Sequence, residues 1–190
     1  MNKFFIASLL TGVVALQAQA ACNTSTIAAT TPTANFTIDE DKGVVVDHTT
    51  GLMWKRCVEG FSGADCRSGS TLQSTFAAAI EYIDTLNEGE GYAGYNDWRL
   101  PNLKELRSIV EERCARPSLN EEVFPLKNTE ASDDRTTINS MTLFSSTPTS
   151  YFDSTDTFIW TVSFANGTFE RSSLGEYDYI RFFRLVRDAR

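Results

Sequence analysis

The chain is poor in the residues on which several large classes of function depend, and each shortage narrows the reading. Its single histidine, His48, and the absence of any Cys-x-x-Cys pair leave no zinc-site spacing. Seventeen lysines and arginines face 25 aspartates and glutamates, so no basic surface emerges to attract nucleic acid. No Gly-X-Y run and no period of solenoid or propeller length is present, which excludes a collagen-like stalk and a repeat array. The longest apolar run, Phe4 to Leu16, is shorter than the roughly 20 residues that span a bilayer.

That run belongs to the opening segment MNKFFIASLLTGVVALQAQA, where Lys3 precedes an apolar stretch and the segment closes on the small-residue pattern Ala18-Gln19-Ala20. This is the layout of a secretory signal peptide over residues 1–20, with cleavage after Ala20. A lipid anchor on Cys22 is the competing reading, although Gln19 stands where a lipoprotein signal has an aliphatic residue. Loss of the leader removes Lys3 and no acid, so the mature chain has a formal charge of −9. The expected location is the secreted or periplasmic space, without stable membrane insertion after cleavage.

Export changes the meaning of the four cysteines, because an oxidising compartment favours disulfides over thiolates. Cys57 pairs most readily with Cys66, since the segment between them carries Gly60 and Gly63 and can return on itself. Cys22 is then left for Cys114, a bridge that would tie the mature N-terminus to the end of a helix. No metal or cofactor is expected. The acidic pairs Asp133-Asp134 and Asp153/Asp156 are weak calcium candidates, because such pairs in loops are commonly solvated.

Residues 21–34, rich in threonine and alanine, read as an extended tether before a domain over residues 35–190. Val44–Val46 and Leu52–Trp54, set between turns, predict a small β-meander. Phe76, Ala79, Ile80, Ile83 and Leu86 recur at helical spacing and predict an amphipathic helix of about three turns that stops in the glycines of NEGEGYAG. Asn102, with Glu105 three residues later, predicts a capped second helix running to about Arg113, with Leu103, Leu106, Ile109 and Val110 buried. Beyond residue 140 the pattern is β, with Asn166-Gly167 as a type I′ hairpin signal. Strands, helices, then strands indicate an α+β domain.

GLMWKRC at 51–57, GYNDWRLPNLKEL at 94–106, VFP at 123–125, FSST at 144–147 and RLVR at 184–187 together resemble the Lcl C-terminal domain family, a group of exported bacterial domains. The resemblance implies a C-type lectin-like fold, similar also to formylglycine-generating enzymes, with a mixed, mainly antiparallel sheet, two flanking helices and a terminal β-hairpin. For the adhesin that names the family it implies binding of sulfated polysaccharide and a trimeric state. The net charge of this chain opposes a polyanion, so a cell-surface protein or saccharide is the expected partner, with an oligomer left open.

Asp97-Trp98-Arg99 is the candidate ligand-binding triplet, an aromatic flanked by opposite charges that could hold a sugar ring; the competing reading buries Trp98 and spends the charges on the loop. Arg181, Arg184 and Arg187 form either a basic stripe or a set of buried ion pairs. Trp160 is expected in the core. His48 has no cysteine beside it, so no catalytic residue is assigned and no enzyme is expected. The functional expectation is a non-catalytic, adhesin-like binding module. Its alternatives are a structural component of a pilus or surface assembly and, further off, an enzyme related to formylglycine-generating enzymes.

Overall fold

A computed structural model describes residues 21–70, 72–126, 142–150, 157–174 and 181–190. The leader 1–20 and the acidic residues Asp133, Asp134, Asp153 and Asp156 lie outside the described residues.

The predicted meander forms from β2 (Phe36–Asp39), β3 (Val44–Asp47) and β4 (Leu52–Lys55), and the C-terminal β11 (Val186–Asp188) joins its edge in the order β11-β4-β3-β2. Neighbouring side chains on these strands go to different cores. Val45, Leu52 and Trp54 pack into one apolar cluster with Phe124 and Leu106, whereas Val44 and Met53 pack into another with Trp98 and Phe183. Two-sided burial explains why the sequence shows short unbroken apolar runs here rather than alternation.

The second cluster is closed by α1 (Phe76–Glu88), which turns Ala79 and Ile83 inward. Thr75 caps it by accepting the Ala78 N–H, and Ile80, expected in the buried stripe, is instead 37% exposed. The helix covers the sheet with a narrower face than a five-residue stripe implies.

The second helix, α2 (Leu103–Ser108), starts where predicted but is only six residues long. Asn102 Oδ1 accepts from the backbone of Lys104 and Glu105, and Glu105 Oε2 accepts the Asn102 N–H at 2.7 Å, a complete capping box. Ile109 and Val110 are buried as expected but from non-helical backbone. Cys114 therefore lies not at a helix end but in β7 (Cys114–Ala115), which pairs with β1 (Ala21–Cys22).

A three-stranded sheet of order β10-β9-β8 is built from β8 (Thr142–Thr149), β9 (Phe158–Ser163) and β10 (Thr168–Ser173). The hairpin at Asn166-Gly167 is present, but its loop is longer than two residues. Ser163 faces Thr168, the Gly167 N–H donates to Ser163 O, and φ is positive at Gly167 and not at Asn166. The type I′ geometry occurs instead at Ala93-Gly94, where both φ values are positive (56° and 86°) and Tyr92 and Tyr95 exchange two backbone hydrogen bonds. Trp160 is half-buried and belongs to neither apolar cluster, whose β9 members are Ile159 and Val162.

The α+β class holds. The sheet is not single, however: the described strands form sheets of four, three, two and two strands, the last from β5 (Phe61–Ser62) with β6 (Ser68–Gly69). Every named strand pair is antiparallel, and the parallel component is one bridge, Leu143 to Phe182. Nor is the hairpin terminal, since the chain continues into β11 against β4.

Candidate functional site: a cleft beneath the N-terminal strap

The Asp97-Trp98-Arg99 triplet fastens the loop to its neighbours, with Trp98 buried and the two charged residues nearer the surface. Trp98 is 1% exposed, its indole N–H donates to Tyr92 O at 3.0 Å, and its backbone is clasped by the Asn87 amide through bonds of 3.1 and 2.7 Å. A ring so enclosed offers no face to a ligand, which corrects the sugar-platform expectation. Asp97 takes both Nε and Nη2 of Arg187, at 2.6 and 3.1 Å, while the Arg187 guanidinium lies 3.9 Å from the Tyr95 ring centre. These hydrogen bonds hold the Asp97 carboxyl below the usual carboxylate range. Arg99 grips Glu105 with two bonds of 2.8 Å, thereby bracing the capping box.

The FSST motif meets this fastener from the other side. Thr147 Oγ1 accepts the Leu103 N–H at 2.8 Å, and the Ser146 N–H donates to Pro101 O. Arg184 is fully buried and Arg187 is ion-paired, so these two do not form an exposed basic stripe. His48 is exposed in a turn, with Nε2 2.7 Å from Thr37 Oγ1.

Both expected disulfides are present, Cys22–Cys114 and Cys57–Cys66. The sulfur of Cys22 is thereby committed, which removes the lipid anchor on that residue. The first bridge also redirects residues 21–34. They run along the domain as a strap rather than away from it as a tether. The Asn23 N–H donates to Arg113 O, and farther along the backbone N–H and hydroxyl groups of Thr30 and Thr31 converge on Glu111. Asn120 Nδ2 adds bonds to Thr31 O and Thr33 Oγ1.

Burial alone would raise the Glu111 pKa, but the N–H groups of Thr30, Thr31 and Arg113 and the Thr31 hydroxyl outweigh it and leave the carboxyl below its ordinary value. A depressed folded pKa contributes stability that is complete above the unfolded glutamate value of about 4.3 and fades as pH falls through the folded value. Strap attachment is therefore expected to persist from neutrality to about pH 4.3 and to loosen below it. Backbone NMR relaxation of residues 28–33 across this range tests it, and Glu111→Gln should loosen the strap at neutral pH.

With the strap fixed, a cleft of about 370 Å³ opens between it and α2. Thr30, Thr31, Asn35 and Phe36 form one wall, the turn after β3 contributes Asp47, Thr49 and Thr50, and α2 presents Lys104, Arg107 and Ser108. Val110 and Glu112 complete it. Asp47 is buried and its oxygens are occupied by the Thr49 N–H and Thr50 hydroxyl at 2.8 and 2.7 Å. The lining thus combines hydroxyls, an amide, apolar carbon and charges of both signs, a surface able to contact a polar ligand. A second depression of about 620 Å³ lies beside the Cys22–Cys114 bridge and is lined by Arg113, Asn120 and three glutamates, Glu111, Glu121 and Glu122.

None of the cleft residues is a binding candidate in the sequence; Val110 is expected only as core. The strap threonines carry no motif, and the wall exists because Cys22, Glu111 and Asn120 hold the strap against the domain. Among the described residues no helix is long and apolar enough to cross a membrane, and the two disulfides fit an oxidising compartment.

No curated protein and no solved structure shows significant similarity to the chain. The profile of the Lcl C-terminal domain matches residues 43–187, which takes in α2 and the turn after β3 but not the strap. The match spans most of the chain and holds the ordered motifs whose side chains interlock above, and on it the chain belongs to the Lcl C-terminal domain family.

Proposed function

We propose that this protein is an exported, non-catalytic binding module whose ligand site is the cleft between the strap and α2. The observation that carries the reading is the cleft itself: a walled space of about 370 Å³, framed by a disulfide-anchored strap and a capped helix, with hydrogen-bonding groups on three sides. Preorganised walls reduce the ordering cost of binding. All four cysteines are in disulfides, so the thiolate chemistry of a formylglycine-type enzyme has no nucleophile here. The pairing of the last strand with β4, beside the opening meander, supports kinship with the C-type lectin-like fold. A saccharide or a protein segment at the cell surface is the ligand, and attachment of the strap to the domain argues against a free tether serving an assembly component.

The test is a glycan and peptide array probed with the mature chain, with and without calcium, alongside Thr49→Trp, which places a large ring at the cleft mouth from an exposed turn. Binding that falls at least tenfold in the variant is expected. A ligand that the variant still binds normally would move the site elsewhere, and turnover of a small molecule would replace the module with an enzyme.

A further inference from the structure

Two cations, Lys104 and Arg107, line the cleft. Lys42, Lys55, Arg56, Arg67, Arg99, Arg113 and Arg187 each lie within 4 Å of a carboxylate. Among the described residues Lys104 and Arg107 do not, although acids outnumber bases in the chain. They sit three residues apart on α2, which places them on one face, and both are exposed. Arg107 is steadied by the Phe169 ring, 5.6 Å from its guanidinium carbon. Both residues line the cleft, and neither is paired with a carboxylate among the described residues.

Across the cleft, Asn35 makes no side-chain hydrogen bond among the described residues, so its amide presents both a donor and an acceptor. Phe36 and Val110 supply apolar surface beside it. Two acidic residues, Asp47 and Glu112, also line the space. Lys104 and Arg107 balance them in formal charge, so one added carboxylate is accommodated between the cations while a string of anionic groups meets repulsion.

We propose that this cleft selects a monoanionic ligand in which a carboxylate and a secondary amide occur together, the carboxylate held by Lys104 and Arg107 and the amide paired with Asn35. The inference rests on the cleft being the ligand site and adds the chemistry that the site reads. That chemistry has two sources, the C-terminal end of a peptide and an N-acetylated acidic sugar.

Calorimetry on the mature, disulfide-intact chain separates them. The probes are N-acetyl-alanyl-alanine and its C-terminal amide, N-acetylmuramic acid and its methyl ester, and a heparin oligosaccharide as polyanion. At least one free acid is expected to bind at least tenfold more tightly than its neutral partner, and the acid that does so identifies the source. Heparin is expected to bind more weakly than that acid. Lys104→Met with Arg107→Met should abolish the preference, and Asn35→Leu should weaken acid and neutral probe alike. Equal affinity for acid and neutral partner overturns the proposal, as does a double variant that keeps the preference. The acid-to-neutral comparison on the unaltered chain decides even if a variant fails to fold. Should all four small probes fail while a neutral saccharide binds and Thr49→Trp blocks it, the carboxylate reading falls and the cleft reading stands. If Thr49→Trp blocks no ligand at all, both fall.

Discussion

Replacing Glu59 by alanine is expected to destabilise the protein by about 3–5 kcal/mol, the range for breaking a buried ion pair by removing one partner. Glu59 is 1% exposed, and its Oε2 accepts from Lys55 Nζ at 2.8 Å and from the Tyr82 hydroxyl at 2.9 Å. Lys55 is itself buried, its ammonium 4.0 Å from the Tyr92 ring centre. Arg184 is fully buried nearby, donating from Nη1 to the carbonyls of Lys55 and Arg56 and resting on Phe124. Burial drives the Arg184 pKa down, the charge of Glu59 works against that, and Arg56 adds to the lowering. The Tyr82 pKa is raised, by burial first and then by Glu59. Without the carboxylate, two cations remain in a low-dielectric core with only carbonyls and ring faces to oppose them. Glu59→Gln keeps the shape and an acceptor and should fall between wild type and Glu59→Ala, isolating the charge. Urea unfolding with the disulfides intact measures both, and a loss below about 1 kcal/mol for the alanine variant would show that the network is not held by its charge.

This network also marks the limit of what hydropathy reveals. Lys55, Arg56 and Glu59 are assigned to the surface by their type, and nothing local in KRCVEG indicates their burial; for Arg184 the sequence leaves a stripe and a buried pair open, and the structure buries it. The fasteners that were legible are those whose logic is local. Asn102 and Glu105 carry a capping box within four residues, and Gly60 and Gly63 lie inside the loop that Cys57 and Cys66 close. Tertiary context overrode the local pattern where α2 ended five residues early. Ile109 and Val110 stay buried there, but the chain must turn so that Glu111 can reach the strap and Cys114 can meet Cys22.

The motifs that carry the family membership therefore speak of folding more than of binding. Within GYNDWRLPNLKEL, Asp97 ties the segment to RLVR through Arg187, and Pro101 and Leu103 tie it to FSST through Ser146 and Thr147. VFP supplies Val123 O, which accepts from Arg56 Nε at 3.1 Å, and Phe124, which lies under Arg184. Each motif completes another at long range, which makes the ordered set diagnostic while leaving the ligand unspecified.

Loss of the Cys22–Cys114 bridge, by paired serine substitution, is expected to lower stability more than loss of Cys57–Cys66. The two bridges span sequence separations of 92 and 9. In the chain-entropy description loops of these lengths correspond to about 4.6 and about 2.7 kcal/mol, upper figures when the unfolded chain retains structure. Local anchorage points the same way. Segment 57–66 is also held through Glu59 N–H to Phe183 O and by the β5–β6 pairing, whereas among the described residues Ala21 to Asn23 are hydrogen-bonded to the rest of the domain by the short ladder to β7 and the bond to Arg113 O. Guanidinium unfolding of the two paired variants tests the order, and a larger loss at Cys57–Cys66 would overturn it. Hydrogen exchange supplies the link to function. Residues 21–27 should exchange freely in Cys22→Ser/Cys114→Ser while Thr30 and Thr31 keep partial protection through Glu111. Adding Glu111→Ala and Asn120→Ala, which removes the carboxylate and amide that hold Thr30, Thr31 and Thr33, should release the remainder and abolish cleft binding, although Lys104, Arg107 and the turn after β3 are untouched. A cleft that still bound its ligand after that release would owe nothing to the strap, and recognition would then belong to the family-matched residues alone.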